Sequence, residues 1–166
     1  EIKDGINRCV LINDYYNSDA ASFQLALNTL AMQDAGREKV VILSDFVDTG
    51  TGERELYREA ALLLRKAKVS LFIGIGEKLS RYKPYFLVPR CRFYKDTDSF
   101  LRQENREQFK DQVIVIKGAR KFRFEYIAGF LQKQSHATVL EVDFDAMVHN
   151  LNYFRSLLPR KTMIAV

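Results

Sequence analysis

A chain of 166 residues that is 47% apolar and 28% charged has the size and composition of a globular domain with a substantial core. No apolar run approaches the ~20 residues that cross a bilayer, and no signal-peptide pattern is present. Cys9 and Cys91 are too few and too far apart for a zinc site, and His136 and His149 lack metal-ligand spacing, so a cytoplasmic protein with reduced thiols is expected.

The net charge of +5 suits an anionic ligand without requiring one. The chain opens at Glu1 without Met and stops in the apolar run Ile164-Ala165-Val166, so a piece of a longer protein is expected.

Val10-Leu11-Ile12 reads as a buried strand that ends at Asp14 and turns into a helix. Asn17, Ser18 and Asp19 can each cap that helix, because their side-chain oxygens accept from the free amides of a first turn. Phe23, Leu27, Leu30 and Ala31 recur at helical spacing, so the helix spans 19–35 and stops at Gly36. A strand follows over 39–43, then a helix over 53–67 with Leu56, Ala60, Leu63 and Leu64 on one face. Its end carries Arg65, Lys66 and Lys68, where cations suit the helix dipole. Next come a strand over 70–75, a short helix over 77–82 halted before Pro84, and a strand over 91–94. A charged helix over 98–109, a strand over 112–116 and a helix over 124–134 complete the series.

This alternation predicts an α/β fold: a doubly wound, mostly parallel sheet, Rossmann-like, with right-handed crossovers and helices on both faces. The continuous apolar run Val113-Ile114-Val115-Ile116 fits a strand buried on both sides. The composition changes at the polar stretch 132–136. Two units are therefore expected, 1–136 and a βαβ extension over 137–166, with strands over 138–144 and 161–166 and a helix capped by Asp145.

Ligands of open α/β sheets bind beyond the carboxyl ends of the strands. Those ends carry Asp14, Tyr16 and Asn17; Asp45 and Asp48; Lys117 and Arg120. Carboxylates there can accept from sugar hydroxyls, while a lysine and an arginine can hold phosphate or carboxylate. An alternative is that Asp14 and Asn17 only cap the helix and that Asp45 pairs with Lys117 to close the loops. Gly50-Thr51-Gly52 and Gly74-Ile75-Gly76 complete neither a dinucleotide fingerprint nor a P-loop, so both read as turns. The run from Lys117 to Phe124 is basic and aromatic, but no matching stripe elsewhere supports nucleic-acid binding.

Three of these stretches together resemble a known family. Asp14-Tyr15-Tyr16-Asn17-Ser18-Asp19-Ala20-Ala21-Ser22 is similar to D-x-Y-N-A-N-P-x-S, which opens the C-terminal domain of the Mur ligases that add D-alanyl-D-alanine to UDP-N-acetylmuramoyl-tripeptide. Ile42-Leu43-Ser44-Asp45-Phe46-Val47-Asp48-Thr49-Gly50 resembles the family's L-G-D-M-x-E-L-G, and Val115-Ile116-Lys117-Gly118-Ala119-Arg120 its V-K-G-S-R. The set occurs in order, at strand ends, within 1–136. The departures are Asp19 for Asn, Ala20 for Pro, Ser44 for Gly, Asp48 for Glu and Ala119 for Ser.

The tail has a resemblance of its own. The segment from Thr138 to Leu151 is similar to the alanine racemase opening A-x-x-E-I-D-L-x-A-L-x-H-N-L, and Lys161-Thr162-Met163-Ile164-Ala165-Val166 resembles the strand before that family's cofactor lysine. Together the two resemblances imply a bifunctional fusion of ligase and racemase. Residues 137–166 would be the first part of the racemase, with pyridoxal phosphate bound only by its remainder.

The ligase resemblance implies a mechanism. ATP phosphorylates the tripeptide carboxylate, and the amine of D-alanyl-D-alanine attacks the acyl phosphate. The phosphate loop and the magnesium ligands belong to a central domain, over which this domain would close. By resemblance Asp14, Tyr16 and Asn17 bind ATP, and Ser18, Asp45, Lys117 and Arg120 bind substrate. No residue of this fragment is itself catalytic or holds a metal, and the fragment alone is expected to be inactive. Two other classes compete: a receiver-like signalling domain with Asp45 as acceptor, and a non-catalytic interaction module dimerising through the apolar helix at 145–158.

Overall fold

A computed structural model of the chain describes residues 1–33, 36–47, 52–133, 142–159 and 161–163. Six strands alternate with helices: β1 (Ile2–Asp4), β2 (Val10–Asp14), α1 (Ala20–Met32), β3 (Glu38–Ser44), α2 (Glu53–Lys66), β4 (Leu71–Ile75), α3 (Glu77–Arg81), β5 (Arg90–Tyr94), α4 (Thr97–Gln103), β6 (Gln112–Lys117) and α5 (Glu125–Leu131). The sheet order is β1-β2-β6-β3-β4-β5. Only β1 runs antiparallel, pairing Ile2 with Ile12 and Asp4 with Val10. This is the expected α/β, Rossmann-like architecture with one added edge strand.

The order decides where the helices go. From β2 to β5 the chain advances across the sheet in one direction, and from β5 it returns to insert β6 between β2 and β3. With right-handed crossovers, a reversal of direction puts the returning helix on the other face. The strand residues alternate accordingly. Ile12, Val41, Leu43, Phe72, Val113 and Val115 pack under Phe23, Leu27 and Leu30 of α1 and Tyr57, Ala60 and Leu64 of α2. Leu11, Val40, Ile42, Leu71, Ile73, Ile114 and Ile116 pack under Phe100 of α4 and Ile127, Ala128 and Leu131 of α5. Two cores thus share one sheet, and β3 and β6 are buried on both sides.

Several boundaries differ from the sequence reading for physical reasons. The expected helix 98–109 stops at Gln103, because Glu104 leaves it to bury its carboxylate against Arg92 Nη1 (2.7 and 2.8 Å) and the Tyr94 hydroxyl (2.5 Å). A single turn at Arg106–Gln108 then leads the buried Phe109 into the second core. Gly36 does take a positive φ of 75°, beyond the last α1 residue Met32.

The chain divides into two units, Glu1–Gln134 and Ser135–Val166. In the second, α6 (Phe144–Leu157) is capped by Asp143, which accepts from the Ala146 amide at 3.0 Å, and not by Asp145. Of the expected strand over 138–144, residues 138–141 lie outside the described residues, Val142 and Asp143 are not in a strand, and Phe144 already belongs to α6. Lys161, Thr162 and Met163 form no strand, and 164–166 also lie outside. Phe144, Met147, Val148 and Phe154 are exposed on this unit.

Candidate functional site

The carboxyl ends of β2, β3 and β6 meet at one edge of the sheet. Register places Asp14 directly beside Lys117, and Leu43 on the other side of the same lysine. Lys117 is completely buried, while Asp14 keeps 40% of its side chain exposed. The Lys117 Nζ lies 2.9 Å from Asp14 Oδ2 and donates a short hydrogen bond to the Asn17 carbonyl. A buried ammonium requires such partners, since an isolated one would cost several kcal/mol or more. The lysine therefore holds the β2–α1 loop to the end of β6.

Asp19 starts α1. Its backbone is extended, and its carboxylate accepts from the Ser22 amide at 2.9 Å and the Ser22 hydroxyl at 2.6 Å. Those two bonds, the hydroxyl first, hold the Asp19 carboxyl below its ordinary range. Ser18 precedes it, with only 5% exposure and a hydroxyl that has no hydrogen-bond partner among the described residues. Of the three cap candidates, Asp19 is the one used.

Asp45 turns away from the lysine. Its two oxygens accept from the amides of Leu79 (2.8 Å) and Lys78 (3.1 Å) at the start of α3. Burial pushes the Asp45 carboxyl up from its ordinary value, and these amide bonds oppose the shift. The two-way pairing of Asp45 with Lys117 is thus replaced by two separate anchors. Gly76 permits the Asp45 arrangement: at φ +137° it has no Cβ, which would stand 2.3 Å from the Asp45 carboxyl carbon. Asp48 lies outside the described residues.

Beyond these anchors lies a cleft of about 450 Å³ lined by Tyr16, Asn17, Ser18, Asp19, Val47, Ala119, Arg120 and Lys121. Tyr16 and Arg120 face each other across it: the guanidinium carbon is 5.5 Å from the ring centroid, and Nη1 is 3.4 Å from the hydroxyl. Tyr16 is 68% exposed, so this pair is available to a ligand. Among the predicted site residues, Tyr16, Asn17, Ser18 and Arg120 line the cleft; Asp14, Asp45 and Lys117 build the loops around it. Val47 and Lys121 had no sequence signal of their own, although Lys121 stands beside Arg120 in the basic run. Among the described residues no group of three His, Cys, Asp or Glu side chains is placed to hold a metal ion, and no helix is long and apolar enough to cross a membrane.

The architecture matches solved structures. Among them are a MurF ligase from Thermotoga maritima in complex with ADP (TM-score 0.62, 14% identity, 78% of this chain and 29% of that one) and MurF from Acinetobacter baumannii (0.59, 16%, 72% and 26%). A third is the UDP-N-acetylmuramoylalanyl-D-glutamyl-2,6-diaminopimelate–D-alanyl-D-alanyl ligase of A. baumannii (0.55, 16%, 73% and 26%). The chain thus spans under a third of the length of these ligases. No family model matches it, and no curated protein does. The six-stranded unit has the Rossmann-like α/β fold of Mur ligase C-terminal domains.

Proposed function

We propose that residues 1–136 form the closing domain of an ATP-dependent ligase that joins D-alanyl-D-alanine to UDP-N-acetylmuramoyl-tripeptide through an acyl phosphate, in peptidoglycan biosynthesis. One observation carries this reading. The three stretches that resemble the ligase motifs lie far apart in sequence, yet they converge on one edge and border one cleft. The likeness to MurF ligases, one of them solved with ADP, supports it.

The residues suit a nucleotide and an amine substrate. The half-exposed Asp14 carboxylate, charge-balanced by Lys117 on one oxygen, can accept from ribose hydroxyls. Tyr16 and Asn17 border the place where the phosphates would lie. Arg120, with Lys121 beside it, offers a fork for the carboxylate of the incoming dipeptide, and Ser18 lies behind it with a buried hydroxyl that has no partner among the described residues. In this assignment Lys117 and Asp45 shape the substrate side through the loops they hold. By the resemblance, magnesium would be held by another domain of the ligase. Bound ATP with its magnesium activates the tripeptide carboxylate. This domain's part is to orient the amine and to exclude water by closing.

The same proposal reads residues 137–166 as the beginning of a fused alanine racemase, whose remainder would bind pyridoxal phosphate. Its support is the resemblance of 138–151, within which Asp143 caps α6. The exposed apolar residues of α6 favour burial against a partner or a second copy. Light scattering with and without 138–166 tests self-association. A receiver-like role is not favoured, because both oxygens of Asp45 are taken by amides and only 6% of the residue is exposed.

Incubating the full-length protein with UDP-N-acetylmuramoyl-tripeptide, ATP, magnesium and D-alanyl-D-alanine tests the reading. Mass spectrometry should show the tripeptide gaining the dipeptide less one water, with ADP and phosphate released. Absence of that product under conditions where the protein is folded would overturn it.

A further inference from the structure

The chain departs from the ligase pattern at two positions that meet in space. Ser44 stands at the end of β3 where the pattern has Gly, and Ala119 stands after β6 where it has Ser. The Ser44 hydroxyl, wholly buried, accepts from the Ala119 amide at 2.8 Å and donates to the Asp45 carbonyl at 3.1 Å. Ala119 is 5% exposed and opens the turn Arg120–Phe122, so its amide has no ready access to water. A buried amide without an acceptor is costly, and the serine removes that cost.

The neighbours leave the loop little other freedom. Lys117 is tied to Asp14 and to the Asn17 carbonyl. Gly118 lies under Phe124 so closely that a Cβ would stand 2.5 Å from the ring. The Ser44 bond fixes the next residue, and Arg120 then leaves the loop toward Tyr16.

We infer that Ser44 is a positioning residue of the cleft: its hydroxyl, from the β3 side, sets the β6 loop that presents Arg120. The inference rests on the ligase reading above. It assigns Ser44 to the side of the cleft that receives the incoming amine, not to the nucleotide side bordered by Asp14.

Steady-state kinetics of the full-length ligase test it, with KM measured separately for D-alanyl-D-alanine and for ATP. In Ser44→Ala the KM for the dipeptide should rise about tenfold, while kcat and the KM for ATP stay within about twofold, since a displaced positioning group penalises one substrate. An unchanged dipeptide KM in Ser44→Ala overturns the inference. So does a parallel loss in kcat and both KM values, the mark of a purely structural role. If Ser44→Ala does not fold, Ser44→Cys, whose thiol is only a weak acceptor, decides: a dipeptide KM raised several-fold with kcat kept supports the inference, and a parent-like one overturns it. A parent enzyme that releases no phosphate with D-alanyl-D-alanine overturns the ligase reading instead.

Discussion

Lys117 and Asp14 sit side by side in register at the ends of β6 and β2, 2.9 Å apart, yet only the aspartate reaches solvent. The pair is therefore asymmetric. Removing Asp14 leaves a fully buried ammonium with the Asn17 carbonyl as its remaining partner among the described residues. Removing Lys117 leaves a carboxylate that water can reach. Asp14→Ala should cost about 3–5 kcal/mol of unfolding free energy and Lys117→Met about 1–3 kcal/mol. Urea unfolding of the chain checks the order; equal costs would mean that the lysine is solvated.

The α1 cap gives a pH dependence with a definite sign. The Ser22 hydroxyl and amide lower the folded-state pKa of Asp19 from 3.8. The unfolded chain then binds more protons in the window below that value, so stability rises with pH there. The contribution is present above the unfolded value and is lost as pH falls through the folded one. Asp19→Ala should cost about 1 kcal/mol at neutral pH. The difference between the two proteins should shrink steadily below pH 3.8. A constant difference would place the cap's strength elsewhere than in the charge.

Much of this arrangement is legible in the amino-acid sequence. Apolar runs and glycine stops give five of the six strands and the order of the main helices, because β3, β4 and β6 are buried on both faces and must be continuous in apolar residues. The strand β1 was invisible: three residues, Ile2-Lys3-Asp4, carry no period, and only pairing with β2 makes them a strand. Asp14, Lys117 and Asp45 were all visible as strand-end residues. Their partners were not, since three charges at one edge can pair in several ways, and the choice depends on Gly76 letting Asp45 reach α3. Ser44 could be seen only as a departure from a pattern; its bond to Ala119 spans 75 residues of sequence.

Gly76 tests the Asp45 anchor from the other side. A methyl group there would strain the backbone at φ +137° and overlap the carboxylate. Asp45 would then have to give up the Lys78 and Leu79 amides. Gly76→Ala should cost about 3 kcal/mol or more, which corresponds to a melting-temperature drop of roughly 10 °C for a domain of this size. A drop of about 2 °C or less would show that α3 shifts freely and that Asp45 is not fixed.

The most direct measurement follows from the proposed function: the KM of the full-length protein for each proposed substrate after Arg120→Ala. Arg120 touches the cleft and no buried anchor, so the fold should survive. Loss of a charged fork for a carboxylate should raise the KM for D-alanyl-D-alanine at least about tenfold and leave that for UDP-N-acetylmuramoyl-tripeptide within about twofold. An unchanged value for the dipeptide would contradict the assignment of this cleft to the incoming amine.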